Sequence, residues 1–209
     1  MIPWEKFAQR RDGRLLIVSG PAGSGKTTVC HRLQESFENI SRVITATTRP
    51  VRLNERPGID YHFLSLEEFK RRINNGEFLE HAEVHGNLYG TPLRSVLEPL
   101  RSGRDLVLNI DVQGARTLRE KAAATPLLNE QMASCFILPP NLEELRRRLL
   151  CRGRDPESEI ETRLQNAVEE MKDAYLYDYV LVSRTYDEDA AAISAIYKAE
   201  KMRTVSALD

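Results

Sequence analysis

Short, nearly continuous apolar runs punctuate a chain that is otherwise rich in charge. Leu15–Ser19, Leu106–Ile110, Cys135–Leu138 and Tyr179–Val182 have the pattern of strands buried on both faces of a parallel sheet. A weaker run, Arg42–Thr45, predicts an edge or a fifth strand. Between and after these runs, apolar positions recur every three or four residues, which predicts helices over Thr27–Phe37, Gly114–Ala123, Leu142–Leu150, Ile160–Tyr175 and Asp187–Met202. Strand and helix alternate. That alternation implies an α/β fold with a parallel sheet covered on both faces and joined by right-handed crossovers.

The rhythm breaks from about Ala46 to Glu98, where the chain is richer in Arg, Glu, Asn, Gly and Tyr. Asp60–Leu64 and Gly86–Tyr89 look strand-like there, around a predicted helix at Leu66–Asn74. Residues 46–98 therefore read as an inserted lobe. A second polar interruption, Arg152-Gly-Arg-Asp-Pro-Glu-Ser-Glu159, carries Gly153 and Pro156 between two helical patterns and reads as a mobile lid, about 151–163. The expected core is then 14–45 with 99–209, preceded by an extension, 1–13, to which the sequence assigns no role. A length of 209 residues suits one compact domain with such an insertion.

Composition narrows the function classes. Thirty basic against thirty-one acidic residues, a net charge of −1, give no global field to draw the protein onto nucleic acid or an anionic membrane. Any anion must be caught locally. The three cysteines, Cys30, Cys135 and Cys151, lack metal-ligand spacing and are expected to be small buried hydrophobes. The opening MIPWEKFAQRRDG has no apolar stretch of signal-peptide length, and no later run approaches membrane-spanning length, so a cytoplasmic protein is expected.

The local anion trap follows the first strand. Gly20-Pro21-Ala22-Gly23-Ser24-Gly25-Lys26-Thr27 fits G-x-x-x-x-G-K-[ST], after a predicted strand and before a predicted helix. Gly20, Gly23 and Gly25 can take positive φ and have no Cβ, so successive backbone N–H groups can turn inward around a phosphate. The helix dipole adds to that nest, Lys26 supplies a point charge for the outer phosphates, and the Thr27 hydroxyl, followed by Thr28, suits Mg²⁺. A nucleoside triphosphate, ATP or GTP, is the expected ligand of this P-loop NTPase-type, three-layer fold. A GTPase is disfavoured: Asp111-Val-Gln-Gly114 has D-x-x-G spacing, but no guanine-reading element follows it.

The segments TATTRPVRLNERPGIDYHF (45–63), FLEHAEVHGNLYGT (78–91) and LNIDVQGA (108–115) follow the phosphate loop in order. Together they resemble guanylate kinase, from about Leu15 to Ala199. The resemblance implies transfer of the γ-phosphoryl of ATP to GMP, with Mg²⁺, and makes 46–98 a GMP-binding lobe. It implies that Arg49 and Arg52 fork around the GMP phosphate, with hydroxyl donors from Tyr61 and Tyr89. It assigns guanine reading to Glu80, contacts at the purine edge to Thr45 and Thr91, and the far side to Asp111. Adenine offers no such donors to a carboxylate, so GMP is expected to be preferred over AMP. Two lid arginines, Arg152 and Arg163, would reach the moving phosphoryl group together with Lys26, and Arg154 is a further candidate. Arg146, Arg147 and Arg148 read as a solvated helix face. His31, His62, His81 and His85 are expected to be structural.

The chain departs from the family pattern at Asn54-Glu55, where Gly-Glu is usual, at Asn109, where an acid is frequent, and at Ser183-Arg184, which replaces Asn-Asp. The last leaves the donor base open, and Asn109 leaves Asp111 to carry any Mg²⁺ or water positioning. Two alternatives stay open: a non-catalytic guanylate-kinase-like domain that binds phosphopeptides, and another P-loop kinase such as a ribose bisphosphokinase. The intact phosphate loop argues against the first, and Glu80 with the TTRPVR segment against the second. Oligomeric state is not legible.

Overall fold

The computed structural model describes residues 13–84, 86–151 and 157–203. Five parallel strands form the main sheet: β1 (Leu15–Ser19), β2 (Ile40–Arg42), β7 (Asp105–Asn109), β8 (Met132–Leu138) and β9 (Tyr179–Val182), in the order β2-β7-β1-β8-β9. Period-two geometry makes it a three-layer structure. Leu15 and Ile17 of β1 face one layer, with Leu106, Leu108, Val96, Leu100 and Leu118, whereas Leu16 and Val18 face the other, with Val107, Val29, Leu33 and Ile193. The helices bearing those residues are α1 (Lys26–Ser36), α3 (Arg94–Arg101), α4 (Val112–Ala123) and α8 (Tyr186–Met202). The α/β, P-loop-type expectation holds.

A second, four-stranded sheet has the order β4-β3-β6-β5, from β3 (Ala46–Thr47), β4 (His62–Phe63), β5 (Phe78–Val84) and β6 (Asn87–Pro92). Helix α2 (Leu66–Asn74) covers it. Ser65 caps α2 by accepting from the Glu68 N–H at 3.1 Å, and Phe69 stacks on Phe78 with ring centroids 4.5 Å apart. The remaining described helices are α5 (Pro126–Gln131), α6 (Leu142–Cys151) and α7 (Glu157–Met171), the last running into a 3₁₀ turn at Lys172–Leu176.

Two local expectations are corrected. The run Arg42–Thr45 is not one strand: the main-sheet strand ends at Arg42, and β3 of the other sheet starts at Ala46. One extended segment crosses between sheets, with the Val43 N–H donating to Val107 on one side and the Thr45 carbonyl accepting from His62 on the other, at 3.0 and 2.8 Å. Strand-like Gly86–Tyr89 overlaps the start of a longer strand, Asn87–Pro92, whose antiparallel partner β5 has no counterpart in the expected elements. Helix α3 was also unforeseen, because Pro99 sits inside it.

Topology places the site. Strand β1 lies between β7 and β8, and α1 and α4 leave its neighbourhood on opposite faces of the sheet. Loops diverge at such a switch point, outside the carboxyl ends of the strands. Val18 pairs with Asn109, so the loop after β1 and the loop carrying Asp111 emerge side by side.

Candidate active site

The loop between β1 and α1 has Gly20, Gly23 and Gly25 at φ 137°, 90° and 108°, backbone that strains any L side chain. Gly20 also packs so closely on the Ile137 carbonyl that a Cβ would overlap it. Pro21 and Ser24 are buried and Ala22 is exposed, with the Ser24 N–H donating to the Pro21 carbonyl at 3.2 Å. Lys26 Nζ reaches back over the loop and donates to the carbonyls of Gly20 (2.6 Å) and Pro21 (2.9 Å). Thr27 and Thr28 stand exposed in the first turn of α1, and Thr27 Oγ1 accepts from Asn109 Nδ2 at 3.2 Å. Helix α1 has neither a side-chain cap nor an acid in its first turn, so its N-terminal dipole is left for an external anion.

Facing this loop across a cleft of about 550 Å³ are residues of the second sheet. Arg49, Arg52, Tyr61, Tyr89, Thr45, Glu80 and Asp111 all line it together with Lys26, Thr27 and Thr28. Most of the residues expected from sequence for the two nucleotides thus line one cavity. Thr91 stands one step behind, donating its hydroxyl to Glu80 Oε1 at 2.5 Å. Gly20, Pro21 and Ser24 shape the loop from beneath rather than lining the cleft. Arg163, on α7, is half-buried and does not line it either. Arg152, Arg154 and His85 lie outside the described residues.

Local charges are arranged by pairing. Burial works against the Arg49 cation, but its Nη2 donates to both Glu55 carboxylate oxygens, at 2.8 and 3.1 Å, and that pairing together with Tyr89 raises its pKa. Burial likewise opposes ionisation of Glu55, yet Arg49 and the Arg52 backbone hold its pKa below the ordinary value. Tyr61 lies 5.5 Å under the Arg49 guanidinium and meets Tyr89 edge-on. Glu80 is 3% exposed, and burial pushes its pKa up to about 7; the Thr91 bond opposes that rise and Asp111 adds to it. Asp111 caps α4, its Oδ1 accepting from the Gly114 N–H at 2.9 Å.

Several site residues escaped the sequence. Glu55 organises the arginine pair; an acid three residues after Arg52 was the available signal. Asn54, beside it, does take positive φ, 69°, in place of the expected glycine. Arg42 reaches from the main sheet to the Ile59 and Asp60 carbonyls at 2.5 and 3.0 Å. Arg148 corrects the solvated-face expectation: Arg146 and Arg147 are exposed, but Arg148 donates to the Ser24 carbonyl (3.3 Å) and to Ser183 Oγ (3.0 Å). Ser183 in turn donates to buried Asp189 at 2.7 Å. Cys30 and Cys135 are buried as expected, whereas Cys151 is exposed at the end of α6. His31 pairs with Glu35 on the exposed face of α1.

Comparison with known proteins agrees with this geometry. A family model described as guanylate kinase matches residues 12–200. A guanylate kinase of Clostridium perfringens is 41% identical over 198 residues, 95% of this chain and 88% of its own length. One from Geobacter metallireducens is 40% identical over 200 residues, covering 96% and 95%. The crystal structure of guanylate kinase from Anaplasma phagocytophilum superposes with a TM-score of 0.76 at 38% identity, over 93% of this chain and 89% of that one. A fold of two sheets with a phosphate loop facing an arginine-lined lobe, matched from end to end at this identity, is that of the guanylate kinase family, to which the chain belongs.

Proposed function

We propose that the protein transfers the γ-phosphoryl group of ATP to GMP, releasing ADP and GDP. The observation that carries this is the single cleft with the phosphate loop on one wall and buried Glu80 beside Arg49 and Arg52 on the other. A phosphate oxygen of GMP attacks the γ-phosphorus in line while the bond to the β,γ-bridging oxygen breaks. Such transfer has a loose transition state, so the protein's work is to align two nucleotides and neutralise charge.

Backbone N–H groups of the Gly20–Thr28 loop, where Pro21 has none to give, and the α1 dipole hold the ATP phosphates. Lys26 exchanges its loop carbonyls for phosphate oxygens. Mg²⁺ fits the Thr27 hydroxyl, which is exposed to the cleft and held by Asn109, with nucleotide oxygens and water as its other ligands; bound there, it would neutralise charge on the outer phosphates. Arg49 and Arg52 grip the GMP phosphate with Tyr61 and Tyr89. Glu80 accepts from the N1–H and exocyclic amine of guanine, and Thr45, Thr91 and Asp111 complete that pocket. Arg152 and Arg163 of the lid stabilise the moving phosphoryl when lobe and lid close, which also excludes water as a competing acceptor.

Purified protein with Mg²⁺, ATP and GMP should give ADP and GDP in a coupled assay, with AMP and ribose 1,5-bisphosphate as poor acceptors. Absence of diphosphate product, or a preference for the sugar phosphate, would overturn the proposal. Lys26→Ala should lower turnover by roughly three orders of magnitude.

A further inference from the structure

The purine end of the cleft lies where the lobe and the core meet. Strand β5 brings Glu80 there, and the first turn of α4 brings Gly114, the two elements packing on each other. A glycine at this place has no local justification. Gly114 is helical and is not among the glycines at positive φ, and within a helix only proline is less favourable. Its neighbours supply the reason. A Cβ at position 114 would stand 3.7 Å from Ile110 Cβ, an ordinary contact, but 2.9 Å from Glu80 Oε2 and 3.3 Å from Glu80 Cδ.

We propose that Gly114 is a specificity-determining positioning residue: its missing side chain is the space in which the Glu80 carboxylate rests while Thr91 fixes the other oxygen. The proposal rests on Glu80 as the guanine reader. Gly114 acts on the pocket twice, since its N–H also orients Asp111. A methyl group at 114 meets only the tip of a flexible side chain, so the fold can absorb it by moving that tip. The carboxylate then leaves either Thr91 or the purine edge. Phosphoryl transfer takes place at the other end of the cleft, beside Lys26, and is untouched by the displacement.

Gly114→Ala, Glu80→Gln and the double variant Gly114→Ala/Glu80→Asp test this with GMP and IMP, which keeps N1–H but lacks the exocyclic amine. For Gly114→Ala, KM for GMP should rise roughly tenfold or more and the preference for GMP over IMP should fall similarly, the loss expected of one misplaced charge-assisted hydrogen bond. Its kcat at saturation should stay within about threefold of the parent, because the groups at the reacting phosphates are unmoved. Its melting temperature should equal or exceed the parent's, since alanine is the better helix former. The double variant, one methylene shorter at position 80, should recover part of the lost preference. If Glu80→Gln alters selectivity but Gly114→Ala does not, Gly114 has no positioning role. A Gly114→Ala protein that melts earlier or fails to fold would show instead that the space serves packing. Unchanged selectivity in Glu80→Gln would remove the base reader itself and the proposal with it.

Discussion

Glu80 is under two opposed demands: burial favours its neutral form, and the guanine contact proposed for it needs its anion. Its pKa of about 7 in the folded protein stands well above the ordinary carboxylate value of roughly 4.3. A folded state that holds a proton more tightly than the unfolded chain gains stability from it below the unfolded pKa and loses that gain as pH rises through about 7. The amount at stake is on the order of 3 kcal/mol. Asp111 and Lys121 act on the group from outside, the first raising and the second lowering its pKa. Glu80→Gln, unable to ionise, should therefore differ little from the parent in urea unfolding at pH 5, where most of that gain is still present, and exceed it by markedly more at pH 8.5. The parent's kcat/KM for GMP should rise as pH passes through 7, and the same variant should lose that rise. Equal stability differences at both pH values would mean that the buried carboxylate titrates normally.

At the scale of elements, the segment between β3 and β4 is organised from within, because Arg49 and Glu55 form a nearly buried ion pair, their side chains 9% and 20% exposed. Glu55 also accepts from the Arg52 N–H at 2.8 Å, so one carboxylate sets both arginines. Removing it leaves a buried cation unpaired. Glu55→Ala should cost about 1–3 kcal/mol in stability and raise KM for GMP more than it lowers kcat, as separate stability and kinetic measurements would show. The sequence made the main sheet legible, because β1, β7 and β8 are buried on both faces and read as nearly continuous apolar runs, whereas β9, expected to be buried likewise, is an edge strand with Val180 and Val182 exposed and was legible from its apolar run alone. It hid β5 because Glu80 occupies an inward position that a strand pattern reserves for an apolar side chain, and a register shift between Phe78 and Glu80 breaks the alternation further. The residue that gives the site its chemistry is thus the one that spoils the local signal. The phosphate loop escaped this problem, since its glycines serve phosphate geometry and turn geometry at once. Arg148 was obscured differently: three consecutive arginines look alike in sequence, and only the docking of α6 on the loop separates the one that faces inward. Motif order brought most of the cleft together, but pairing partners such as Glu55 belong to the packed loop.

On the scale of the whole molecule, apolar clusters lie apart from one another and are joined at few places. The lobe has its own cluster around Ala46, Phe69 and Phe78, and α6 and α7 share another in Leu145, Leu149, Ile160, Leu164 and Ala167. Leu145 and Leu149 also pack on Gly23, at 3.0 and 3.2 Å from where its Cβ would be, so the helix pair rests directly on the phosphate loop. Binding and chemistry should separate along these joints. GMP at about one hundred times its Kd stabilises a folded protein by roughly 2.7 kcal/mol, which for a chain of this size raises the melting temperature by about 5–10 °C. Arg49→Ala, which removes the phosphate grip proposed for the lobe, should abolish most of that rise. Arg163→Ala leaves the lobe intact and should keep it, while kcat falls by about a hundredfold or more, the loss expected when a cation aimed at the moving phosphoryl group is removed. The two measurements must therefore cross: an Arg49 variant without the thermal shift, and an Arg163 variant with the full shift and little turnover. A Gly23→Ala change, strained at φ 90° and pressed against Leu145, should impair ATP use while sparing the shift with GMP. If Arg163→Ala instead lost the GMP-induced shift at unchanged kcat, α7 would belong to the acceptor site, and the division of labour between lobe and helix pair would be wrong.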